Sequence, residues 1–152
     1  AAVRYPPTGT RGVASARAAR WGRLTDHWER ADAEACLIVQ IESLAALDAL
    51  DDIAAVDGVD ALFVGPSDLG ATLGHLGQPG HPEVRSAVSE TIRAIRAAGK
   101  PAGVLATTPE LVEEYVKAGA SFVGVGVDTM MLAQSTSDLR SAFAPAPGRT
   151  DD

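Results

Sequence analysis

Two acidic side chains, Glu42 and Asp68, lie at positions where a functional site is expected. Glu42 ends a short apolar run and Gln40 lies two positions before it, so on a β-strand both side chains project to the same face. Asp68 comes shortly after a second apolar run. Carboxylate oxygens that leave coordination positions open suit Mg²⁺, Mn²⁺ or Co²⁺. If the two runs are neighbouring strands, the sequence predicts a divalent metal site formed by Glu42 and Asp68.

The turn Gly65-Pro66-Ser67 precedes Asp68 and has the composition of an anion site. Backbone N–H groups at a helix start bind anions, and here they could hold the carboxylate of an α-keto acid. The keto oxygen would then reach the metal, which as a Lewis acid would stabilise the enolate formed when a neighbouring carbon–carbon bond breaks.

Structural roles for the same residues remain open at this point. Glu42 could form a salt bridge to an arginine, and Asp68 could cap the N-terminus of a helix. The turn that begins at Gly65 could simply terminate a strand. Spacing alone does not decide between these roles and a metal site.

The three histidines offer weaker candidates. His27 lies among charged residues and is expected to face solvent. His75 and His81 border a glycine-rich stretch, where each is a candidate catalytic base, and the pair His81-Pro82 is typical of a helix start. No histidine or cysteine stands beside Glu42 or Asp68 in the sequence, so a structural zinc site is not expected there.

Strand and helix patterns alternate along the chain. Apolar runs predict strands, and apolar residues at helical spacing predict the helices that follow them. The predicted strands lie within 36–41, 60–64, 101–105 and 121–126, and the predicted helices span 26–33, 43–55, 82–98, 107–118 and 128–143. Four βα units predict a parallel sheet, either a small open sheet or half of an eightfold barrel. Residues 1–35 form a loop-like and helical lead-in, 36–143 the βα repeat, and 144–152 a flexible tail.

Composition excludes several classes of protein. The 152 residues allow one domain, and 46% hydrophobic with 22% charged residues is typical of a globular chain. A net charge of −7 makes nucleic acid and anionic membranes unsuitable partners. No apolar run approaches the length of a membrane span and no signal peptide is visible, so a cytoplasmic protein is expected. The single cysteine, Cys36, begins an apolar run and is expected to be buried.

Seven short motifs, in this order and spacing, resemble the HpcH/HpaI family of class II pyruvate aldolases. They are RYPPTGTRG at 4–12, QIE at 40–42, GVD at 58–60, FVGPSDL at 63–69, GHPEV at 80–84, AGK at 98–100 and FVGVGVD at 122–128. The resemblance implies a (β/α)8 TIM-type barrel, of which this chain carries strands five to eight. It also implies cleavage of a 4-hydroxy-2-oxo acid to pyruvate, or an analogous keto acid, plus an aldehyde, through a metal-bound enolate.

The resemblance assigns roles to individual positions. It implies that Glu42 and Asp68 bind a divalent metal such as Mg, Mn or Co. The implied substrate contacts are Gln40 beside the keto acid, the turn Gly65, Pro66 and Ser67 around its carboxylate, and Leu105 on the aldehyde side.

One part of the family pattern has no counterpart here. The family's proton-transferring His and its enolate-supporting Arg come from the first four strands, so no catalytic residue is assigned in this chain. The alternative function is therefore a truncated, catalytically incomplete homologue that binds metal or keto acid, or that serves in assembly. A half-barrel has two unpaired strand edges, so homo-oligomerisation or pairing with the missing half is expected.

Overall fold

The computed structural model describes residues 1–143 and is built on a parallel sheet of four strands. The strands are β1 (Ile38–Ile41), β2 (Ala61–Val64), β3 (Ala102–Leu105) and β4 (Phe122–Gly124), and their order in the sheet is their order in the chain. Each strand therefore pairs with the next one along the sequence, as expected for consecutive βα units. The predicted parallel α/β architecture is confirmed.

Helices precede the sheet and follow every strand. They are α1 (Ser15–Ala18), α2 (His27–Glu34), α3 (Leu44–Asp48), α4 (Leu50–Ala55), α5 (Pro66–Thr72), α6 (Pro82–Ala97), α7 (Pro109–Ala118) and α8 (Asp128–Phe143). None of these helices is both long and apolar enough to cross a membrane. Residues 144–152, where the sequence predicts a flexible tail, lie outside the described residues.

One face of the sheet forms the core together with α6. The side chains of Ile41, Val64 and Val104 are fully buried on this face. The apolar stripe of α6 recurs every three or four residues, which keeps it on one side of the helix. Its fully buried members are Val84, Val88, Ile92 and Ile95. The long helix predicted between 82 and 98 is thus confirmed, and its burial anchors the strands whose ends carry the candidate site.

The opposite face of the sheet, called the open face below, carries Gln40, Phe63, Gly103 and Phe122 side by side in register. The rings of Phe63 and Phe122 lie with centroids 6.0 Å apart across Gly103. A Cβ at Gly103 would fall 2.3 Å from the Phe122 ring and 2.6 Å from the Phe63 ring. Glycine is required at this position because the two aromatic side chains occupy the space above it.

The lead-in is held together around Tyr5. Its ring packs edge-on against Trp28 of α2 at 5.4 Å between centroids, and the Arg11 guanidinium lies 4.6 Å from the Tyr5 ring centroid. The Tyr5 backbone N–H and the Thr8 hydroxyl both donate to the Asp32 carboxylate at 3.1 Å. These contacts connect the loop at 4–12 to α2, which begins one residue later than predicted.

The helix predicted at 43–55 is wrong as a single element, because the chain forms two short helices, α3 and α4, that meet at Ala49. Its apolar residues recur at strict intervals of three positions, at Leu44, Leu47, Leu50 and Ile53. Since an α-helix turns about 100° per residue, such positions drift by about 60° at each step and cannot share one buried stripe. With the helix broken at Ala49, the side chain of Leu50 is buried, whereas that of Leu44 is 46% exposed.

Two local predictions also need correction. Cys36 is exposed rather than buried, because β1 begins two residues later, at Ile38, and Cys36 lies in the connection before the sheet. The capping residue of α7 is Thr108, whose hydroxyl accepts from the Leu111 backbone N–H at 3.4 Å. Thr107 and Glu110 have the spacing of a capping box but do not form the cap, since the helix begins at Pro109.

Replacing Gly103 with alanine should destabilise the fold. The added methyl group must displace the ring of Phe63 or Phe122, and overpacking of this kind costs about 1–3 kcal/mol. Urea denaturation measures the free energy of unfolding. Gly12→Ala is the matched control, because no atom lies within 4 Å of a Cβ at Gly12. Equal stability of the two variants would contradict the packing described for the open face.

Replacing Tyr115 with phenylalanine should leave the fold as stable or stabilise it by about 1 kcal/mol. Tyr115 of α7 is 1% exposed, and its hydroxyl has no hydrogen-bond partner among residues 1–143. Burial raises the pKa of this hydroxyl to about 12, so it stays protonated at neutral pH. Thermal and urea unfolding measure the effect. Tyr5→Phe is the control, because the Tyr5 hydroxyl lies 3.4 Å from His27 Nε2, and this variant should not gain stability. A large loss of stability in Tyr115→Phe would show that the hydroxyl has a partner.

Candidate functional site

The carboxyl ends of β1 and β2 bring Gln40, Glu42 and Gly65 together. The Gln40 side-chain amide Nε2 donates to Glu42 Oε2 at 2.5 Å, as expected for residues two apart on one strand face. The Gly65 backbone N–H donates to the Ile41 carbonyl at 3.0 Å, which extends the β1–β2 pairing past the strand end. The polar pair predicted from the sequence therefore faces the start of the turn that follows β2.

Gly65 is required here for space. A Cβ at Gly65 would fall 2.6 Å from Gln40 Nε2 and 3.1 Å from Glu42 Oε2. The backbone at Gly65 has φ −98°, which every L-residue adopts, so its conformation does not demand glycine. The missing side chain leaves a cradle beneath the Gln40 amide and the Glu42 carboxylate.

Asp68 lies in the first turn of α5, three residues after Gly65. The Leu69 N–H donates to the Gly65 carbonyl at 3.0 Å, which closes this turn. Asp68 is exposed, and its carboxylate has neither a hydrogen bond nor an ion pair within the described part of the chain. The capping position is Gly65, so Asp68 is not the N-cap residue that the structural alternative required.

Glu42 also lacks the arginine partner that the structural alternative required. Among residues 1–143 its side-chain contact is the Gln40 amide, and the ion pairs of the described chain involve other carboxylates. Glu42 is half-buried at a strand end. Both candidate carboxylates therefore lack a cationic partner among residues 1–143, and they lie on the connections that follow two adjacent strands.

A cavity of about 200 Å³ opens beside the same turn. Its lining includes Pro66 and Ser67 of the turn, Leu105 at the end of β3 and Tyr115 of α7. Leu105 is paired in register with Gly124, and a Cβ at Gly124 would lie 3.4 Å from Leu105 Cδ1, which is an ordinary contact distance. The cavity is mainly apolar in its lining, which suits the carbon skeleton of a small ligand.

The predicted site residues thus form two groups joined by one turn. Gln40, Glu42 and Gly65 are in mutual proximity, and Pro66, Ser67 and Leu105 surround the cavity. Asp68 belongs to neither set of contacts and extends from the first turn of α5.

A second polar cluster was not predicted as a group. His75, His81 and Glu83 each offer one ligand atom, and these three atoms lie within 4.8 Å of one another. The sequence indicated His75 and His81 only as separate candidate bases. Their proximity depends on how the loop between α5 and α6 folds back, and no spacing rule for a single helix or strand describes that path.

Comparison with known proteins gives a consistent result. The sequence model of the HpcH/HpaI aldolase/citrate lyase family matches residues 1–135. A hydroxypyruvate/pyruvate aldolase from Pseudomonas aeruginosa is 51% identical over 151 residues, which cover 96% of this chain and 56% of that protein. A 4-hydroxy-2-oxovalerate aldolase from Rhodococcus jostii is 49% identical over 143 residues, covering 94% of this chain and 55% of its own length.

A solved structure from Burkholderia cenocepacia, of an HpcH/HpaI aldolase/citrate lyase family protein, superposes with a TM-score of 0.75 at 38% sequence identity. The match covers 93% of this chain and 58% of that one. The chain spans about half the length of the curated relatives it matches. Its four parallel strands accordingly make up half of an eightfold βα barrel, the second of the two architectures left open by the sequence. The resemblance carried by the seven motifs is confirmed, and the chain belongs to the HpcH/HpaI aldolase/citrate lyase family.

Proposed function

We propose that this chain supplies the metal- and oxo-acid-binding half of an aldolase that cleaves a 4-hydroxy-2-oxo acid to pyruvate, or an analogous keto acid, and an aldehyde. The observation that carries the proposal is the group of Gln40, Glu42 and Gly65 at the ends of adjacent strands. The names of the relatives support the substrate class, since they describe aldolases acting on pyruvate-type oxo acids.

The residues fit a divalent ion that prefers oxygen ligands. Glu42 and Asp68 provide carboxylate oxygens without cationic partners in the described chain, and the absence of a side chain at Gly65 lets Glu42 lie close to the turn that leads to Asp68. Mg²⁺, Mn²⁺ and Co²⁺ accept such a donor set and retain positions for substrate oxygens. When bound, the ion supplies Lewis-acid polarisation of the substrate carbonyl.

The protein's own groups would bind and orient the oxo acid. The Gln40 amide holds the Glu42 carboxylate in place through its 2.5 Å hydrogen bond and stands over the cradle at Gly65. In the turn that follows, the Ser67 N–H is directed to the substrate carboxylate, while Pro66 provides a carbonyl only. Leu105 lines the cavity next to Ser67 and would contact the aldehyde portion.

Turnover needs a further group beyond those that residues 1–143 bring to this site. Retro-aldol cleavage requires removal of the proton of the 4-hydroxyl group by a base. No histidine contacts Gln40, Glu42 or Gly65 within the described part of the chain. Since relatives are nearly twice as long, we place the missing base in the half of the barrel that this chain does not cover.

The alternative function, a binding or assembly module without turnover, is favoured by the open face. Ile38 is 46% exposed there, and the rings of Phe63 and Phe122 are only half-buried. The outer edges of β1 and β4 have no partner strand in the described sheet. Unpaired edges and an apolar face are stabilised by association with another half-barrel or with a second copy of the chain.

Glu42→Gln and Asp68→Asn should each weaken Mn²⁺ binding at least tenfold, because each removes one charged oxygen ligand. Calorimetric titration of Mn²⁺, with and without oxalate as a stand-in for the oxo acid, measures the affinity. Asp52→Asn is the matched control, since Asp52 is an exposed acid of α4. Unchanged Mn²⁺ affinity in both site variants would rule out the proposed metal site.

The chain alone should bind pyruvate in the presence of Mn²⁺ but should not cleave a 4-hydroxy-2-oxo acid, because it lacks the base. Adding the part of the Pseudomonas aeruginosa relative that this chain does not cover should restore pyruvate release. A coupled assay for pyruvate follows the reaction, and Glu42→Gln in the mixture serves as the inactive control. Full turnover by the chain alone would contradict the need for the other half. Persistent oxo-acid binding with no turnover in the mixture would favour the binding module.

A further inference from the structure

A cluster of two imidazoles and one carboxylate lies at the junction of the α5–α6 loop and the first turn of α6. His75 Nε2 is 2.7 Å from Glu83 Oε2. The rings of His75 and His81 are stacked, with centroids 3.7 Å apart and planes inclined by 18°. One ligand atom from each of the three side chains falls within 4.8 Å of the others.

The loop backbone holds this cluster in place through tight turns. The His75 N–H donates to the Gly70 carbonyl at 2.8 Å, and the His81 N–H donates to the Gln78 carbonyl at 3.0 Å. Gly74 and Gly77 adopt positive φ angles of 88° and 75°, which other residues rarely take. The chain therefore reverses between His75 and His81, and the two rings meet although six positions separate them in the sequence.

The environment of the cluster is suited to a cation. The side chain of His75 is 20% exposed and that of Glu83 is 61% exposed, so one ligand is well sheltered and another opens to solvent. No lysine or arginine forms an ion pair with Glu83 in the described chain.

We propose that His75, His81 and Glu83 bind a divalent transition-metal ion of the zinc type, with a fourth position left to water. Two imidazoles and one carboxylate are a known three-ligand set for Zn²⁺. Nitrogen ligands favour Zn²⁺, Ni²⁺ or Cu²⁺, whereas an all-oxygen set such as Glu42 with Asp68 favours Mg²⁺ or Mn²⁺. This site is distinct from the proposed function and does not depend on it.

The geometry needs only side-chain adjustment to accept such an ion. Bonds of about 2.0–2.1 Å in a tetrahedral site place ligand atoms roughly 3.4 Å apart. Separations of up to 4.8 Å must therefore shorten, and the exposed Glu83 can move while the stacked rings rotate about their χ2 angles. The Glu83 N–H donates to His81 Nδ1 in a long hydrogen bond of 3.3 Å. Coordination of the ion by Nδ1 would replace this hydrogen bond, whereas coordination by Nε2 would retain it.

The ion would connect two elements that border the candidate substrate site. His75 follows α5, whose first turn carries Ser67 and Asp68, and Glu83 lies in the first turn of α6. Pro79, between the two histidines, lines the cavity shared by Ser67 and Leu105. Metal binding would restrain this wall of the cavity, and it would stabilise the folded chain by an amount that rises with the logarithm of metal concentration above the Kd.

Calorimetric titration with Zn²⁺ tests the proposal in a Glu42→Gln/Asp68→Asn background, which removes the oxygen-ligand site. One equivalent of Zn²⁺ should bind per chain. His75→Ala and His81→Asn should each weaken binding at least tenfold, and His81→Asn retains a side chain that can cap α6. His27→Ala is the matched control, because His27 belongs to α2 and its imidazole contacts Tyr5 and Trp28 rather than the proposed ligands. Binding that survives both His75→Ala and His81→Asn, or that is absent at micromolar Zn²⁺, would overturn the proposal.

A second measurement avoids dependence on variants. Titration of the unsubstituted chain with Zn²⁺ should shift the ring ¹⁵N resonances of two histidines and leave the third, His27, unchanged. Shifts confined to His27, or the absence of any imidazole shift at one equivalent of Zn²⁺, would refute the site even if a variant failed to fold.

Discussion

The in-register pairing of β1 with β2 is the constraint on which the candidate site depends. It brings the Gly65 N–H to the Ile41 carbonyl at 3.0 Å and so sets the first residue of the turn directly against Gln40 and Glu42. A shift of one residue would turn the polar pair to the helix-covered face, where burial without partners is costly. The absence of a side chain at Gly65 then allows Gln40 and Glu42 to lie this close to the turn, since a Cβ would fall 2.6 Å from Gln40 Nε2 and 3.1 Å from Glu42 Oε2.

The two faces of the sheet are covered unequally, and the covered face stabilises the fold while the open face carries part of the candidate site. One face is closed by α6 with fully buried aliphatic side chains, and it provides the rigidity that fixes the strand ends. The open face has Gln40, Phe63, Gly103 and Phe122 in one row, with glycine below the two rings. A half-barrel that is packed on one side only can hold its ligand residues in place and still require a partner to exclude water from them.

The sequence predicted the order of the elements because its signals were local. Apolar runs, helical stripes and prolines at helix starts each act over a few residues, so β1 to β4 and the long helices were placed within two residues of their observed ends in most cases. Gln40 and Glu42 followed from the two-residue period of a strand. The break at Ala49 and the exposure of Cys36 were not predicted, because both depend on where the chain begins to pack against the sheet. The grouping of His75, His81 and Glu83 depends on the loop path, which no periodicity encodes.

The two proposed ion sites differ in a way that the chemistry of their ligands explains. Glu42 and Asp68 would provide only oxygen, from connections that follow adjacent strands, and such ligands suit an ion that keeps open positions for a substrate. His75 and His81 provide nitrogen from a loop, and nitrogen ligands suit an ion that joins two segments of chain. Because Pro79 and Ser67 line one cavity, a restraint on the loop would alter the shape of the space next to the turn at Gly65. An ion at the second cluster would therefore act on substrate fit through the cavity wall, without contact with the reacting atoms.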